Sequence, residues 1–161
     1  MPIRFPSAFG ITCLAVIPLL NPSTSGFATA APRKCAECDR VVARALKLLP
    51  RHPQRVVVVD AERVPPALQR SIERAEAFVT RGDPTVCLKK EGVVFHHALW
   101  GAGVWDYALA AVIWHEMAHI DGADEAEAQR QEERLWQQFI VERRIEAGIG
   151  LKYLALLRKR R

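Results

Sequence analysis

The stretch Val112–Asp121, VIWHEMAHID, constrains this chain more tightly than any other. It lies in a run from Asp106 to Ile120 that contains neither Gly nor Pro, and its residue propensities predict a helix with Asp106 as N-cap. Histidines four apart on a helix stand one above the other on the same face, so the imidazoles of His115 and His119 can converge on one ion. Ala108, Ala111 and Val112, one to two turns earlier, keep that face small or apolar. Glu116, beside the first histidine, is not a ligand in such a pattern. It is placed to take a proton from a metal-activated water, which is what metal-assisted hydrolysis of a peptide bond requires. The plainer reading of these residues is a pair of partly buried histidines satisfied by hydrogen bonds on an amphipathic helix.

A catalytic zinc takes three protein ligands and keeps a fourth position open. The third must come from outside the pentapeptide. Gly122 is suited to end the first helix and Asp124 to cap a second, running from Glu125 to about Ile145 and folding back as a helical hairpin. That second helix offers Asp124, Glu125, Glu127, Glu132 and Glu133. Its apolar face is defined by Ala128, Leu135 and Phe139, with Trp136 and Ile140 widening it, and Glu125 and Glu132 fall within it. Glu127 falls with Gln131, Arg134 and Gln138 on the polar side, and Glu133 at the margin. Glu125 is level with the His119 end, whereas Glu132 is about 10 Å further along the axis, past His115. Glu125 is therefore the expected third ligand and Glu132 the runner-up. Glu132 or Gln129 is alternatively a group that orients an imidazole.

His115-Glu116-Met117-Ala118-His119 resembles the HExxH zinc metallopeptidases, the zincins. Extended to Glu125, the pattern HExxHxxGxxE copies the spacing of the metzincins, with glutamate at the third-ligand position. Metzincins also carry a methionine turn downstream of the motif, and this chain has only Met1 and Met117. A glutamate ligand on a following helix looks more like the gluzincins, although the linker here is short for them. The resemblance covers about Thr85 to Phe139, and only the HExxH part is specific. It implies a small α+β zincin-like domain, with a hairpin-bearing sheet packed on the HExxH helix and a second, antiparallel helix. It implies one Zn²⁺ per chain held by His115, His119 and Glu125, Glu116 as general base, and a peptide or protein substrate. It also suggests a strand upstream of the helix that pairs with an extended substrate. Proteins of this kind often add a His or Tyr donor to the oxyanion, and Tyr153 is one conceivable donor. The alternative function is a non-catalytic zincin-like binding module whose metal is structural or absent.

The remainder of the chain sets the context. Met1-Pro2-Ile3-Arg4, an apolar stretch from Phe5 to Leu20 and Ala28-Thr29-Ala30 together read as a secretory signal peptide over residues 1–30, cleaved near Ala30. Pro6 and Pro18 and the short run argue against a permanent membrane span, with an uncleaved anchor as the alternative. The rest, residues 31–161, suffices for one domain with a modest core, exported to the periplasm or secreted. Of 23 basic side chains, only Arg4 is lost with the leader, which leaves 22 against 18 acidic ones, a net of +4. Arg158-Lys159-Arg160-Arg161 carries all of that excess as a basic tail. The near-neutral body gives no support to nucleic-acid binding.

Cys35, Cys38 and Cys87 remain after the leader, and an oxidising compartment favours one disulfide among them, with the pairing left open. Cys35 and Cys38 form a CxxC without the second pair a zinc ribbon needs and without a preceding strand. A thiol–disulfide exchange protein is accordingly the weakest of the three functional readings. Apolar spacing predicts a helix from Cys38 to Leu49, a buried strand over Arg55–Asp60, and a helix from Pro65-Pro66 with Leu68, Ile72, Ala75 and Val79 as its stripe. Thr85–Leu88 and Val93–His97 flank a turn at Lys89–Gly92 and read as a β-hairpin. His96 and His97 would then point to opposite faces, as surface residues rather than ligands. Gly148 and Gly150 should break the chain before a last helix over Leu151–Leu157.

Overall fold

In the computed structural model, residues 35–64, 66–69 and 72–158 are described. The expected signal peptide and the last three residues of the basic tail lie outside the described residues. Helix α1 spans Ala36–Leu46, and Cys35 is its N-cap, its sulfur accepting the Cys38 amide N–H at 3.1 Å. Cys35 and Cys38 form the disulfide, which settles the open pairing and leaves Cys87 as a free thiol. Strand β1, Arg55–Val59, is followed by a 3₁₀ turn at Ala61–Arg63 and the short α2, Pro66–Gln69. Strands β2, Ala77–Phe78, and β3, Thr85–Lys89, complete a sheet of order β1-β3-β2. β1 runs parallel to β3, with Val57 opposite Cys87, and β2 runs antiparallel, with Phe78 opposite Cys87.

Side chains alternate across this sheet as strand geometry requires. Val56, Val58, Ala77, Val86 and Leu88 join the main core, while Val59, Phe78 and Cys87 pack with Val64, Ile72 and Ala75 in a smaller cluster. β1 is half-buried rather than enclosed, because it is an edge strand.

Helices α3 (Val93–Trp100), α4 (Val104–Ile120), α5 (Glu125–Val141) and α6 (Ala147–Arg158) follow. α4 is the centre of the molecule, packing against α1, α3, α5, β2 and β3. It is buried nearly all round, from Ala108 to Ile113 and again from His115 to His119, as expected of a helix with neighbours on every side. The α4–α5 pair is the hairpin expected from sequence. His119 meets Glu125, His115 meets Glu132, and Tyr107 meets Phe139 edge-on with ring centroids 5.0 Å apart, the falling-against-rising order of an antiparallel seam. Gly122 takes φ 91° at the turn, and Asp124 caps α5 by accepting the Glu127 amide at 2.8 Å. Trp136, Phe139, Leu109 and Ile113 are fully buried around this seam, each contributing about 1.5–3 kcal/mol of apolar burial.

Several expected elements are different. The expected second strand of the hairpin, Val93–His97, is helical, and β3 takes its antiparallel partner from β2 upstream instead. The cause is a remote cap: Glu76 accepts the Val93 and Val94 amides at 3.1 and 3.0 Å, satisfying donors that a new helix leaves unpaired. Among the described residues, the helix expected to reach Val79 is Pro66–Gln69, and residues 72–79 are not helical. Buried Lys89 donates from Nζ to the carbonyls of Ile72 and Glu73, both at 2.8 Å, fixing a turn there, and Ala77-Phe78 is drawn into the sheet. Asp106 is no N-cap: α4 starts at Val104, and buried Asp106 pairs with Arg44 of α1 at 3.0 Å. α5 ends at Val141 rather than Ile145, with Arg143 at φ 56° just beyond. Gly148 and Gly150 lie inside α6, where Gly150 provides close approach, since a Cβ there would stand 2.5 Å from Ile140 Cγ1.

Candidate metal centre

Three elements of local structure bring the site together. The helical repeat of α4 stacks His115 over His119, with ring centroids 4.9 Å apart. The tight turn at Gly122 then returns the chain so that the first residue of α5, Glu125, stands against both rings. His115 Nε2 and His119 Nε2 are 3.1 Å apart, and Glu125 Oε2 lies 3.3 Å from His119 Nε2 and 3.7 Å from His115 Nε2.

Those three separations decide what the cluster can do. A tetrahedral zinc with donors at about 2.0–2.1 Å has donor–donor edges of about 3.3–3.4 Å. The triangle of ligand atoms has the size of one face of such a tetrahedron. Its protonation pattern points the same way. His119 Nδ1 is 3.0 Å from the Ala123 carbonyl, which can only accept, so that nitrogen carries the proton. His115 Nδ1 is 3.1 Å from Glu132 Oε2, a carboxylate that also accepts the Tyr153 hydroxyl on Oε1 at 3.2 Å. When both imidazoles are neutral with the proton on Nδ1, both Nε2 lone pairs face the Glu125 carboxylate. Glu125 Oε2 is itself buried and accepts no well-directed hydrogen bond. In that state the three converging acceptor atoms form a group able to hold a cation.

Partial burial pushes the Glu125 carboxyl up, but the imidazoles of His115 and His119 and the Gln129 amide outweigh it and hold the group down at about 2. Burial lowers the His119 imidazolium, while the Glu125 carboxylate and the Ala123 carbonyl raise it further, to a net position above its ordinary value. Both shifts express the attraction between the Glu125 carboxylate and the imidazoles, which without a metal favours a proton shared between them. Gln129 Nε2 donates to Glu125 Oε1 at 2.8 Å, leaving Oε2 to the site. The site reaches the surface through Glu125, whose side chain is 41% exposed, while His115 and Glu116 are enclosed at 1% and 2%.

His115, His119 and Glu125 are thus together as the sequence predicts, and they form a metal-capable group among the described residues. No family model, no curated protein and no solved structure matches the chain. Glu132, the runner-up, stands behind His115 rather than past it, on the side away from the other ligand atoms. Gln129 orients the carboxylate, not an imidazole. Tyr153 is buried, and its hydroxyl donates to Glu132. His96 is exposed, and His97 stacks on Trp105 with ring centroids 4.3 Å apart, so neither joins the group. The Ala123 carbonyl and the Tyr153 hydroxyl as supports of the centre were missed. A backbone carbonyl has no signature in sequence, and Tyr153 lies 21 residues beyond the glutamate it serves. A shallow recess of about 270 Å³ between Pro50, Trp114, Gln131 and Leu135 contains none of the donor residues.

Proposed function

We propose that this protein is an exported, zinc-dependent peptidase of the zincin type. The observation that carries the reading is the convergence of His115 Nε2, His119 Nε2 and Glu125 Oε2 at 3.1–3.7 Å, with each imidazole donating its other nitrogen away from the cluster. Two imidazoles and a carboxylate are the donor set of a hydrolytic zinc site that keeps a position open. Zinc, when bound, supplies a Lewis acid that acidifies water and polarises a carbonyl.

The chain's own residues supply the rest. Glu116 follows His115 on α4, where it accepts a proton from the attacking water and returns it to the leaving amine. Gln129 keeps the Glu125 carboxylate turned toward the imidazoles. The half-exposed edge at Glu125 gives an extended peptide its approach. The burial of Glu116 favours a second reading, a binding module in which the metal is structural.

One pair of measurements separates them. Purified wild type and Glu116→Gln are assayed for zinc content and for hydrolysis of an unfolded protein substrate. The peptidase reading expects about one zinc per chain in both and hydrolysis in the wild type alone. Zinc in both with hydrolysis in neither supports the binding module, and absence of zinc from the wild type removes the metal centre altogether.

A further inference from the structure

The last helix reaches the metal centre through one hydroxyl. Tyr153 of α6 donates to Glu132 Oε1 at 3.2 Å, and Glu132 Oε2 accepts from His115 Nδ1 at 3.1 Å. All three side chains are buried, at 4%, 3% and 1% exposure, so water does not compete for these bonds. Tyr153 is held in turn. Its ring packs on Trp136 with centroids 4.1 Å apart, and Trp136 Nε1 donates to the Gly150 carbonyl at 2.9 Å. Gly150 allows that approach because any Cβ there would collide with Ile140. A chain of contacts therefore runs from the backbone of α6 to the ring of a ligand histidine.

From this we infer that Tyr153 and Glu132 are positioning residues, and that docking of α6 sets the metal affinity of the centre. The inference rests on the metal-site reading above. A carboxylate accepting from Nδ1 fixes the tautomer that leaves Nε2 free to bind, and it raises the basicity of the ring. A buried carboxylate with one oxygen unsatisfied would be costly, or would turn to find another donor and carry the imidazole with it. The Tyr153 hydroxyl removes that alternative by occupying Oε1. Linkage makes the effect reciprocal: if docked α6 tightens metal binding, bound metal must hold α6 in place by the same factor.

The test measures Zn²⁺ affinity of the full chain by competition with a chromophoric chelator, for wild type, Tyr153→Phe, Glu132→Gln and Leu157→Ala. Tyr153→Phe removes a single oxygen and preserves the packing on Trp136. Leu157 is a buried α6 residue for which no polar contact to the centre is observed, so it reports packing alone. The expectation is a 10- to 100-fold loss of zinc affinity in both Tyr153→Phe and Glu132→Gln. The metal-free melting temperature of Tyr153→Phe should fall no further than that of Leu157→Ala, and Leu157→Ala, which loosens α6 but keeps the hydroxyl, should lose less zinc affinity per folded molecule than Tyr153→Phe. Amide hydrogen exchange supplies the second readout: zinc should slow exchange in α6 of the wild type and do so less in Tyr153→Phe.

Zinc bound by the wild type with Tyr153→Phe within twofold of it, or with α6 exchange unchanged by metal, overturns this inference and leaves the metal centre standing. A wild type that binds no zinc overturns both.

Discussion

Glu125→Ala is the sharpest test of the metal centre, because its effect on the metal-free protein should be small and its effect on metal binding large. The side chain is 41% exposed and its Oε2 makes no well-directed hydrogen bond, so its removal opens no core cavity. It does take a negative charge from the first turn of α5, which costs about 0.3–1 kcal/mol through the helix dipole, and the acceptor of the Gln129 amide, a partly exposed bond that costs about 0.5–1 kcal/mol. Metal binding is a different matter. Tight four-ligand zinc sites have apparent binding energies of about 10–16 kcal/mol, so one ligand is worth about 3 kcal/mol. At about 1.4 kcal/mol per tenfold, loss of Glu125 should weaken zinc by about 100-fold or more. Differential scanning calorimetry reads the same quantity: zinc at 100 times Kd stabilises the native state by about 2.7 kcal/mol, and the variant at that same zinc concentration should retain less than about 0.5 kcal/mol. Glu132→Ala beside it distinguishes a ligand from a support, since it should damage the metal-free protein as well by removing the buried acceptor that the Tyr153 hydroxyl and His115 Nδ1 share. A Glu125→Ala protein that binds zinc within threefold of wild type would refute the ligand assignment. If Glu132→Ala alone abolished binding, the runner-up would take its place.

Other consequences are independent of the metal. Burial foremost, with the Asp83 carboxylate adding to it, pushes the Cys87 thiol from 9.0 up to about 12. The thiolate fraction at pH 8 is then about 1,000-fold below that of an ordinary cysteine, so iodoacetamide should modify Cys87 only after denaturation, and mass spectrometry of native samples alkylated for minutes at pH 8 should find it intact. Arg44→Met leaves buried Asp106 without its partner and should destabilise the fold by about 1–3 kcal/mol in urea titrations, discounted because Arg44 is 39% exposed. Restoring neutrality with Asp106→Asn should recover part of that loss. Gly150→Ala should lower the melting temperature despite alanine's better helix propensity, because its Cβ would stand 2.5 and 2.7 Å from Ile140 side-chain atoms, and Ile140→Ala in the same chain should relieve the clash.

The parts of the fold legible in sequence are those whose stability is local. α4 and α5 announce themselves by long runs of helix formers, and their turn by Gly122 and Asp124, residues whose backbone and side-chain chemistry act within three positions. The region from Pro66 to Trp100 was not legible, for the opposite reason. Val93–His97 is a short apolar run that suits a strand or a buried helix equally, and the choice is made by Glu76, 17 and 18 residues away, capping its first amides. Similarly, Ile72, Ala75 and Val79 are all buried, as a helical stripe requires, yet Lys89 and β3 pull that segment into a turn and an edge strand. A burial pattern survives such an exchange of secondary structure, and the backbone hydrogen bonds that decide it are long-range.

The metal centre divides along the same line. His115, Glu116, His119 and Glu125 occupy ten or so consecutive positions, so helical geometry and one turn suffice to assemble three of them around a point. What periodicity alone could not do was separate Glu125 from Glu132, since both lie on the buried side of α5 and both meet His115. They are distinguished by which nitrogen they address. Glu125 faces Nε2, together with the Nε2 of His119, and Glu132 faces Nδ1. One imidazole is thereby held by two glutamates on opposite sides, Nε2 against the half-exposed Glu125 and Nδ1 against the buried Glu132. A single histidine in a generic amphipathic helix needs only one such partner. Two histidines, each with Nδ1 against an acceptor and Nε2 against one shared carboxylate, form a group able to hold a cation at the point where the three side chains meet.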